Sequence, residues 1–502
     1  MDVEVNRASF ALLHPGLLCA GTPLRVTHTD GSVDETAFPT LMSPGQLAFD
    51  IAALRQTAGG VTADIAFVGE VFELEDQRNW TDASYKTYGR PLALPTPFAI
   101  PEGGVVEQSL TIAFSGNGRG VAMAGAERIV VGAPTDSGVP ETMLALERGW
   151  EGPMPAGTPV LARIDLTQDD WQDELSSLIS AAGGSLDLEA IVPDSAASID
   201  GALVALRKHL DGHGAALRNL MALPIAYTRS YDPAGPWPSG ATPEEALRLS
   251  RRHFPHVSIG GGMFTNFTEL NRYRGSARIG DFVTHGTTAV VHTADDVGVM
   301  QTLEMLPQIF ASDAAIAPGK PIRLGLCAIG MRSNPYASEV APNPWLLRVA
   351  MAQADPRIRG LFGAAFMVGV VAATQDSAVA SLALAAPGGP FGLSGGDGVY
   401  PAWHAVRGLA RLSGQRRSSV ATPAGVVAVA GQSAAGSALI VANISSEVRR
   451  AVLPEAAKIV VLDDLQTSAN WLADAPRDVA TTLLLQPFAI GFVSFGADCF
   501  TG

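Results

Sequence analysis

One continuous run of the chain reads Thr242-Pro243-Glu244-Glu245-Ala246-Leu247-Arg248-Leu249-Ser250-Arg251-Arg252, and Val257-Ser258-Ile259-Gly260-Gly261-Gly262 follows shortly after it. Thr242 is a capping residue, proline suits the first helical turn, and an acid follows three residues after the cap, so a helix is predicted over 243–252. The apolar run after the helix predicts a strand over 257–262. Alternating helices and strands are typical of an α/β fold.

The same alternation extends in both directions, from about residue 160 to residue 412. Strands are predicted at 162–166, 186–192, 220–227, 257–262, 282–285, 322–328, 360–368 and 381–387. Helices are predicted at 169–182, 197–210, 243–252, 297–310, 345–353 and 400–412. Eight units of this kind over about 250 residues predict a (β/α)8 TIM barrel. A doubly wound open sheet is the competitor, and it is less favoured because no Gly-x-Gly-x-x-Gly follows the first strand.

Short β-like runs with Gly- and Pro-rich turns lie on both sides of this region. We therefore predict three domains: an N-terminal β-sandwich-like domain over 1–155, the barrel over 156–414, and a small C-terminal β domain over 415–502.

The composition narrows the class of function. A formal net charge of −15, from 34 basic and 49 acidic residues, argues against nucleic acid or an anionic membrane as partner. The three cysteines are far apart and lack metal-ligand spacing, which suits reduced thiols. We expect a cytoplasmic protein because the N-terminus lacks a signal-peptide pattern and no apolar run is long enough to span a membrane. The sequence does not indicate the oligomeric state.

Reacting groups of a barrel lie where strands end and loops begin, so candidate catalytic residues are expected at those positions. After the fourth predicted strand, Asn266 and Glu269 stand just beyond a run of three glycines that allows close approach of a ligand. Glu269 is a candidate general acid or base. The alternative is a carboxylate that only stabilises the first turn of a helix.

Two histidines follow the fifth predicted strand closely. His285 or His292 could hold a proton near neutral pH or donate a hydrogen bond to a carbonyl. Each could instead be structural, or the pair could bind a metal with Asp281 or Glu269. No close His-x-x-x-His spacing supports a metal, so neither a metal nor another cofactor is predicted.

Arg332, Asn334 and Tyr336 follow the sixth predicted strand and form a second polar cluster, suited to hydroxyl groups or a developing oxyanion. The seventh predicted strand, 360–368, ends without a carboxylate. Because a retaining glycosidase needs two carboxyl groups about 5 Å apart, and one of them commonly sits at this strand, its absence argues against an ordinary glycosidase.

A polar run lies within the predicted N-terminal domain. Asp76, Arg78, Asn79 and Asp82 surround Trp80, and this set could bind the hydroxyls and the apolar face of a sugar. The alternative is a loop whose polar side chains satisfy one another.

This run, Glu73-Leu74-Glu75-Asp76-Gln77-Arg78-Asn79-Trp80-Thr81-Asp82-Ala83-Ser84-Tyr85-Lys86-Thr87-Tyr88, resembles the D-apionate lactonase family. The resemblance includes residues 265–272 and 281–296 and extends across the chain. It implies a glycoside-hydrolase-like barrel between two β domains, and hydrolysis of D-apionolactone to D-apionate in the catabolism of apiose. It carries over no catalytic residues.

A lactone is a cyclic ester, so its hydrolysis needs an activated water, an oxyanion site and an acid. We predict that Glu269 or His292 activates water and that the other, or His285, is the acid. Arg332 and Asn334 would polarise the carbonyl group, and Asp76, Arg78, Asn79 and Asp82 would hold sugar hydroxyls. The predicted partner is a small-molecule sugar lactone. The rival functions are a glycoside hydrolase using Glu269 with Asp281, and a catalytically silent carbohydrate-binding protein.

Overall fold

The computed structural model of the protein describes residues 2–118, 127–434 and 436–501. The chain forms two compact units, which divide between residues 123 and 124.

The first unit is built from antiparallel strands. Among its described residues, Gly16–Cys19 forms the short helix α1 and Gln77–Trp80 forms a 3-10 turn. An eight-stranded sheet contains β2–β8 and β10, and β1 pairs with β9. Side chains such as Phe38, Ile51 and Phe72 are fully buried in its core. The strands are β1 Val3–Val5, β2 Ala11–Pro15, β3 Pro23–His28, β4 Val33–Ala37, β5 Ala48–Ala58, β6 Val61–Val68, β7 Phe72–Glu75, β8 Ser84–Gly89, β9 Phe98–Ile100 and β10 Ser109–Gly116.

The second unit opens with β11, Val130–Gly138, and then forms a parallel sheet. The strands of this sheet are β12 Glu141–Leu146, β13 Val160–Asp165, β14 Ser185–Val192, β15 Ala216–Pro224, β16 Ser258–Ile259, β17 Gly261–Asn266, β18 Val283–Thr288, β19 Ile322–Ala328 and β20 Val379–Ala385. Strand β12 pairs with both β13 and β20. At the other end of the strand order, β16 pairs with β15 and β17 pairs with β18, and only Gly260 separates β16 from β17. Taken as one strand, β16 and β17 close an eight-stranded barrel, which confirms the predicted fold.

Helices cover the outside of the barrel. Leucines of α2 and α3, among them Leu175 and Leu203, pack with strand residues such as Leu188 in one apolar core. The hydroxyl of Thr242 accepts the N–H of Glu245 at 3.3 Å, so the predicted helix cap is confirmed. The helices are α2 Trp171–Ala181, α3 Ala196–Gly212, α4 Pro243–His253, α5 Phe267–Arg272, α6 Gly275–Ile279, α7 Asp296–Ile316, α8 Leu361–Ala373 and α9 Pro401–Leu412. Single 3-10 turns lie at Ile225–Thr228, Pro356–Arg359 and Gly389–Phe391.

The predicted strand at 360–368 is wrong, because this segment lies in α8. Nearly every residue from Phe362 to Val371 is buried, so the run has no polar face whose period would distinguish a helix from a strand. The first barrel strand, β12, lies within the predicted N-terminal β domain, where no helix precedes it. The prediction thus includes one false strand, 360–368, and omits one true strand, β12, so its total of eight is still correct.

The predicted helix at 345–353 is also wrong. This segment is irregular, and Leu346 and Met351 adopt positive φ angles of 49° and 60°. Such backbone conformations interrupt a right-handed helix. Pro342 and Pro344 lie just before the segment and disfavour helical conformation in the residues that precede them.

An antiparallel sheet closes the chain, as predicted, in the strand order β11-β23-β24-β25-β28-β26-β27. Strand β11 therefore joins this sheet although it precedes the barrel. The remaining elements are the β21 Ser394–Gly395 and β22 Gly398–Val399 pair, β23 Arg416–Ala421, β24 Val426–Ser433, β25 Gly436–Asn443, β26 Arg449–Leu462, α10 Trp471–Asp474, β27 Asp478–Leu485 and β28 Ile490–Gly496. Among the described residues, no helix has the length and apolar character needed to cross a membrane.

Glycines allow the fifth barrel strand to lie unusually close to its neighbours. Gly262 has a φ of +141°, and a Cβ atom there would lie 2.0 Å from the carbonyl oxygen of Thr284. A Cβ atom on Gly261 would lie 2.0 Å from the carbonyl oxygen of Ser276. Only glycine fits both positions, and this close packing fixes the path of the strand that leads to Asn266 and Glu269.

Candidate active site

Glu269 lies in the first turn of α5, directly after the fifth barrel strand, and its side chain is buried. Its Oε1 accepts hydrogen bonds from the Ser230 hydroxyl at 2.8 Å and the Tyr336 hydroxyl at 3.1 Å. Its Oε2 accepts the backbone N–H of Asn266 at 3.0 Å. Glu269 therefore has both of the alternative roles considered from the sequence. Its Oε2 stabilises the first turn of α5, and its Oε1 accepts hydrogen bonds from two hydroxyl groups.

Loops from two different strands hold these hydroxyl groups in place. The N–H of Ser230, in the loop after β15, donates to the carbonyl oxygen of Pro335 at 3.0 Å. Arg229 also donates to the carbonyl oxygen of Ala337. The loops after the fourth and seventh barrel strands are thus joined beside Glu269.

A cluster of four charges lies at the same end of the barrel, and we call Glu147, Arg163, Glu189 and Arg332 the charge cluster. Oε2 of Glu189 accepts from Nε of Arg163 at 2.8 Å and from Nη1 of Arg332 at 2.9 Å. Arg332 also donates to Glu147 at 2.5 Å. Nη2 of Arg163 donates to the carbonyl oxygen of Phe264, two residues before Asn266. Two carboxylates and two guanidinium groups leave the charge cluster formally neutral.

Burial and the neighbouring Arg332 lower the pKa of Arg163. Burial also disfavours the charge on Arg332, but the carboxylates of Glu147 and Glu189 outweigh it and raise the pKa of Arg332. Both buried guanidinium groups are thus paired with the carboxylate of Glu189.

The buried donors near this end of the barrel without a hydrogen-bond partner among the described residues include Nη2 of Arg332 and Nδ2 of Asn266. An unpaired buried donor costs about 1–3 kcal/mol, so such atoms are expected where a ligand supplies the partner.

Aromatic rings border the region on the side of the fourth strand. Tyr227 and Trp237 stack with an interplanar angle of 7°, and Trp237 meets Tyr273 edge to face at 4.8 Å between ring centroids. Tyr231 packs against Trp237 at 5.8 Å. Rings of this kind offer an apolar surface to the C–H face of a sugar-derived ligand.

His285 lies on the outer side of the barrel. It is fully buried, with Nδ1 2.8 Å from the carbonyl oxygen of Gly286 and Nε2 3.0 Å from Oδ2 of Asp313 in α7. The preceding residue, Thr284, lines a small cavity inside the barrel. Because successive side chains of a strand point to opposite faces, His285 must point to the helices, and this placement corrects its predicted role as an acid.

The other two candidate residues near the sixth barrel strand, His292 and Asp281, lie at opposite ends of that strand. His292 is exposed in the loop after β18. Asp281 precedes β18, at the opposite end of the barrel, where it contacts Arg251 and accepts the N–H of Ile259 at 2.8 Å. No group of three or more His, Cys, Asp or Glu side chains suited to a metal occurs in the part of the chain that the structure describes.

Asn334 holds its own loop together. Its Nδ2 donates to the carbonyl oxygen of Glu339 at 3.0 Å, and its Oδ1 accepts the N–H of Tyr336 at 3.0 Å. These contacts position Tyr336 beside Glu269. The contact of Asn334 with a substrate carbonyl group stays a prediction.

The predicted sugar-binding run of the first unit is mostly buried. Asp76 and Arg78 form a two-pronged ion pair with N–O distances of 2.7 and 2.6 Å, and both side chains are inaccessible to solvent. Arg78 also donates to the carbonyl oxygen of Pro39 at 2.9 Å, and Asn79 donates to that of Asp76 at 2.9 Å. These contacts favour the alternative of a self-satisfying loop. For the partly exposed Asp82, sugar binding stays a prediction.

Sequence reasoning missed the charge cluster except for Arg332, and it missed Ser230. A signal was present for Glu189, because Asp187 and Glu189 alternate with apolar residues in a strand that is otherwise apolar. Both residues line the interior of the barrel. Ser230 carries no such signal, since it lies in an irregular loop.

In the sequence, the absence of a carboxylate at 360–368 argued against an ordinary glycosidase, but this segment is helical and is not the seventh barrel strand. The seventh barrel strand is β19, and the residues after it, Ile329-Gly330-Met331-Arg332, also lack a carboxylate. The fourth strand, β15, ends at Pro224 and is likewise followed by no acid in the turn Ile225–Thr228.

The fold and the site define an α/β-barrel protein with a buried carboxylate among hydroxyl, amide and guanidinium groups. Family models described as "D-apionate lactonase, N-terminal domain" and "D-apionate lactonase, TIM barrel domain" match residues 1–117 and 156–414. The D-apionate lactonase of Brucella anthropi is 36% identical over 441 residues, which cover 82% of this chain and 71% of that protein. The chain belongs to the D-apionate lactonase family.

Solved structures of glycoside hydrolases match the chain at low similarity. A GH30 endoxylanase from Clostridium papyrosolvens C71 has a TM-score of 0.49 at 12% identity, covering 74% of this chain and all of that chain. A glucosidase from Croceicoccus marinus has a TM-score of 0.46 at 13% identity, covering 73% and 98%. Likeness of this degree carries no argument about activity, and the fold rests on the strand order itself.

Proposed function

We propose that this protein is a lactonase, a carboxylic ester hydrolase that opens D-apionolactone to D-apionate. The observation that carries the proposal is the placement of Glu269, a buried carboxylate held by three donors at the carboxyl end of a barrel. Membership of the D-apionate lactonase family supports the choice of substrate.

Lactone hydrolysis requires a base, hydrogen-bond donors to the carbonyl oxygen and a proton for the leaving alkoxide. Glu269 serves as the base that takes a proton from the attacking hydroxyl group. Nδ2 of Asn266, two residues from the backbone of Phe264, is a buried donor that a developing oxyanion could use. Nη2 of Arg332 is a second buried donor, suited to a substrate hydroxyl or to the carboxylate of the product.

Tyr336 replaces His285 as the acid in this scheme. Its hydroxyl already donates to Glu269, so a proton taken up by the carboxylate can be passed through it to the ring oxygen. His292, which is exposed in the loop after β18, remains the alternative acid.

The same proposal includes a small-molecule partner and a cytoplasmic location. The net charge of −15 supports a small molecule over a nucleic acid. The free state of Cys19, Cys327 and Cys499 supports a reducing compartment.

A pH-indicator assay of purified, chelator-treated protein tests the proposal, with D-apionolactone beside other aldonolactones and aryl glycosides. Rapid release of acid from D-apionolactone is the expected result. Turnover only after addition of a divalent ion would contradict the metal-free mechanism. Cleavage of glycosides without opening of lactones would overturn the proposed function.

A further inference from the structure

The hydroxyl group of Ser230 lies between the carboxylate of Glu269 and the guanidinium group of Arg272. Its Oγ donates to Oε1 of Glu269 at 2.8 Å and accepts from Nη1 of Arg272 at 3.0 Å. The hydroxyl group is thus aligned to lose its proton to a carboxylate while a cation lies on the side where negative charge would develop.

The position of this hydroxyl group is fixed from both sides. The backbone N–H of Ser230 donates to the carbonyl oxygen of Pro335, and Arg272 also donates to the carbonyl oxygen of Tyr231 at 3.2 Å. The side chain is only half-buried, so a ligand can reach it. A fixed, accessible hydroxyl group beside a buried base is the arrangement of an activated nucleophile.

The contacts of Glu269 favour the serine over a water molecule as the attacking group. Both carboxylate oxygens already accept hydrogen bonds from the protein, and Ser230 is their nearest hydroxyl donor. Arg272 orients the hydroxyl group of Ser230, and its guanidinium group also lies where it would stabilise the alkoxide character of an attacking Ser230.

Resting on the proposed function, we propose that Ser230 is the nucleophile and that the reaction passes through an ester of Ser230. Oγ forms a bond to the lactone carbonyl carbon while its proton moves to Glu269. The ring C–O bond then breaks, and the ring oxygen takes the proton and becomes a hydroxyl group. No atoms leave, so the acylated protein carries the full mass of one lactone.

Water completes the cycle. Glu269 takes a proton from water, the resulting hydroxide attacks the ester carbon, and the C–Oγ bond breaks. Oγ of Ser230 leaves with the proton held by Glu269, and the free carboxylic acid is released. Nδ2 of Asn266, buried and next to the Glu269 cap, is the donor placed to stabilise the oxyanion in both steps.

The test compares the native protein with Ser230→Ala and Ser230→Cys, and uses Ser176→Ala as the matched control. Ser176 lies on α2, on the outside of the barrel. We expect Ser230→Ala to lose at least about 10³-fold in kcat/KM with D-apionolactone and Ser176→Ala to keep native activity. We also expect acid-quenched native protein to carry one lactone mass on the peptide that contains Ser230, and Ser230→Cys to form the corresponding thioester.

Trapping with hydroxylamine separates a nucleophile from a positioning residue. The trapped ester requires slow deacylation, so hydroxamate should replace D-apionate and the total turnover, corrected for the uncatalysed reaction, should rise to a plateau set by the acylation rate. A total rate that rises in proportion to hydroxylamine without a plateau, or a Ser230→Ala variant within tenfold of native activity, would overturn the assignment and leave lactone hydrolysis intact. A native protein that opens no lactone would instead overturn the proposed function.

Discussion

The hydroxyl group of Tyr336 donates to Oε1 of Glu269 at 3.1 Å and thereby connects the loop after the seventh barrel strand to the helix after the fifth. Ser230, from the loop after the fourth strand, donates to the same oxygen. Three separate strand ends therefore meet at one carboxylate oxygen, which is how barrel enzymes assemble a site from distant parts of the sequence.

Replacing Glu269 by Gln should cost at least about 10²-fold in kcat, because the amide cannot accept the proton in the transition state. The size of the side chain is kept, so the circular dichroism spectrum should be unchanged. Steady-state kinetics with D-apionolactone measure the effect. Glu304→Gln, on the exposed face of α7, is the matched control, and near-native turnover by Glu269→Gln would remove the base from the mechanism.

Replacing Arg332 by Met should destabilise the second unit by about 3–5 kcal/mol, because Glu147 and Glu189 lose a buried partner. Urea unfolding at neutral pH measures the loss. Arg348→Met removes a partly exposed pair with Asp296 and should cost less than about 1 kcal/mol. Arg332→Lys keeps the charge but not the forked geometry, so we expect its KM to rise more than its stability falls. Equal stability of Arg332→Met and the native protein would contradict the charge cluster.

The pair of His285 and Asp313 should make stability depend on pH. Burial by itself lowers the pKa of His285, but the Asp313 carboxylate, the Gly286 carbonyl oxygen and the charge of Glu269 together raise it above its ordinary value. Both ring nitrogens face acceptors, so the folded protein favours the imidazolium form. The resulting stabilisation is full below the unfolded pKa of about 6.5 and is lost as the pH rises through the raised folded pKa.

Asp313→Asn should therefore lower the free energy of unfolding more at pH 6 than at pH 9, as measured by urea denaturation. Asp281→Asn is the control, because its ion pair with Arg251 contains no histidine and its effect should be the same at both pH values. A loss that is equal at the two pH values for Asp313→Asn would show that His285 is neutral in the folded protein.

Asp76→Asn should destabilise the first unit by about 3–5 kcal/mol, because it leaves the fully buried Arg78 without its carboxylate. Thermal unfolding of the full chain measures the effect. Asp64→Asn, which removes an exposed pair with Arg55, should change stability by less than about 1 kcal/mol. A folded Asp76→Asn protein of native stability and raised KM would restore the sugar-binding prediction for this loop.

The fold was predictable where each element has two distinct faces. Helix α4 has a cap, an acidic first turn and a basic last turn, and its predicted bounds agree with the structure to within one residue. Helix α8 has none of these signals, because tertiary contacts bury it on all sides. Strand β12 could not be recognised as part of the barrel, because its partner β20 lies far along the chain.

The site was predictable only at the level of strand ends. Glu269 follows a strand directly, so a search of strand ends finds it. His285 belongs to the same search but lies within the strand, where a shift of one residue decides between the inside and the outside of the barrel. Ser230 becomes visible only when the loop conformation is known, since its partners Glu269 and Arg272 come from a later segment.

The pairing of β11 and β12 bears on how the protein can be made. Strand β11 pairs with β23, and β12 pairs with β20. Both partners lie much later in the chain, so β11 and β12 are synthesised long before they can form these pairs. During synthesis, the nascent chain must keep these two edges from pairing wrongly. A gene fragment that starts at residue 156 would encode a barrel without its first strand, so expression of the catalytic region requires a start before β11 and a stop after β28.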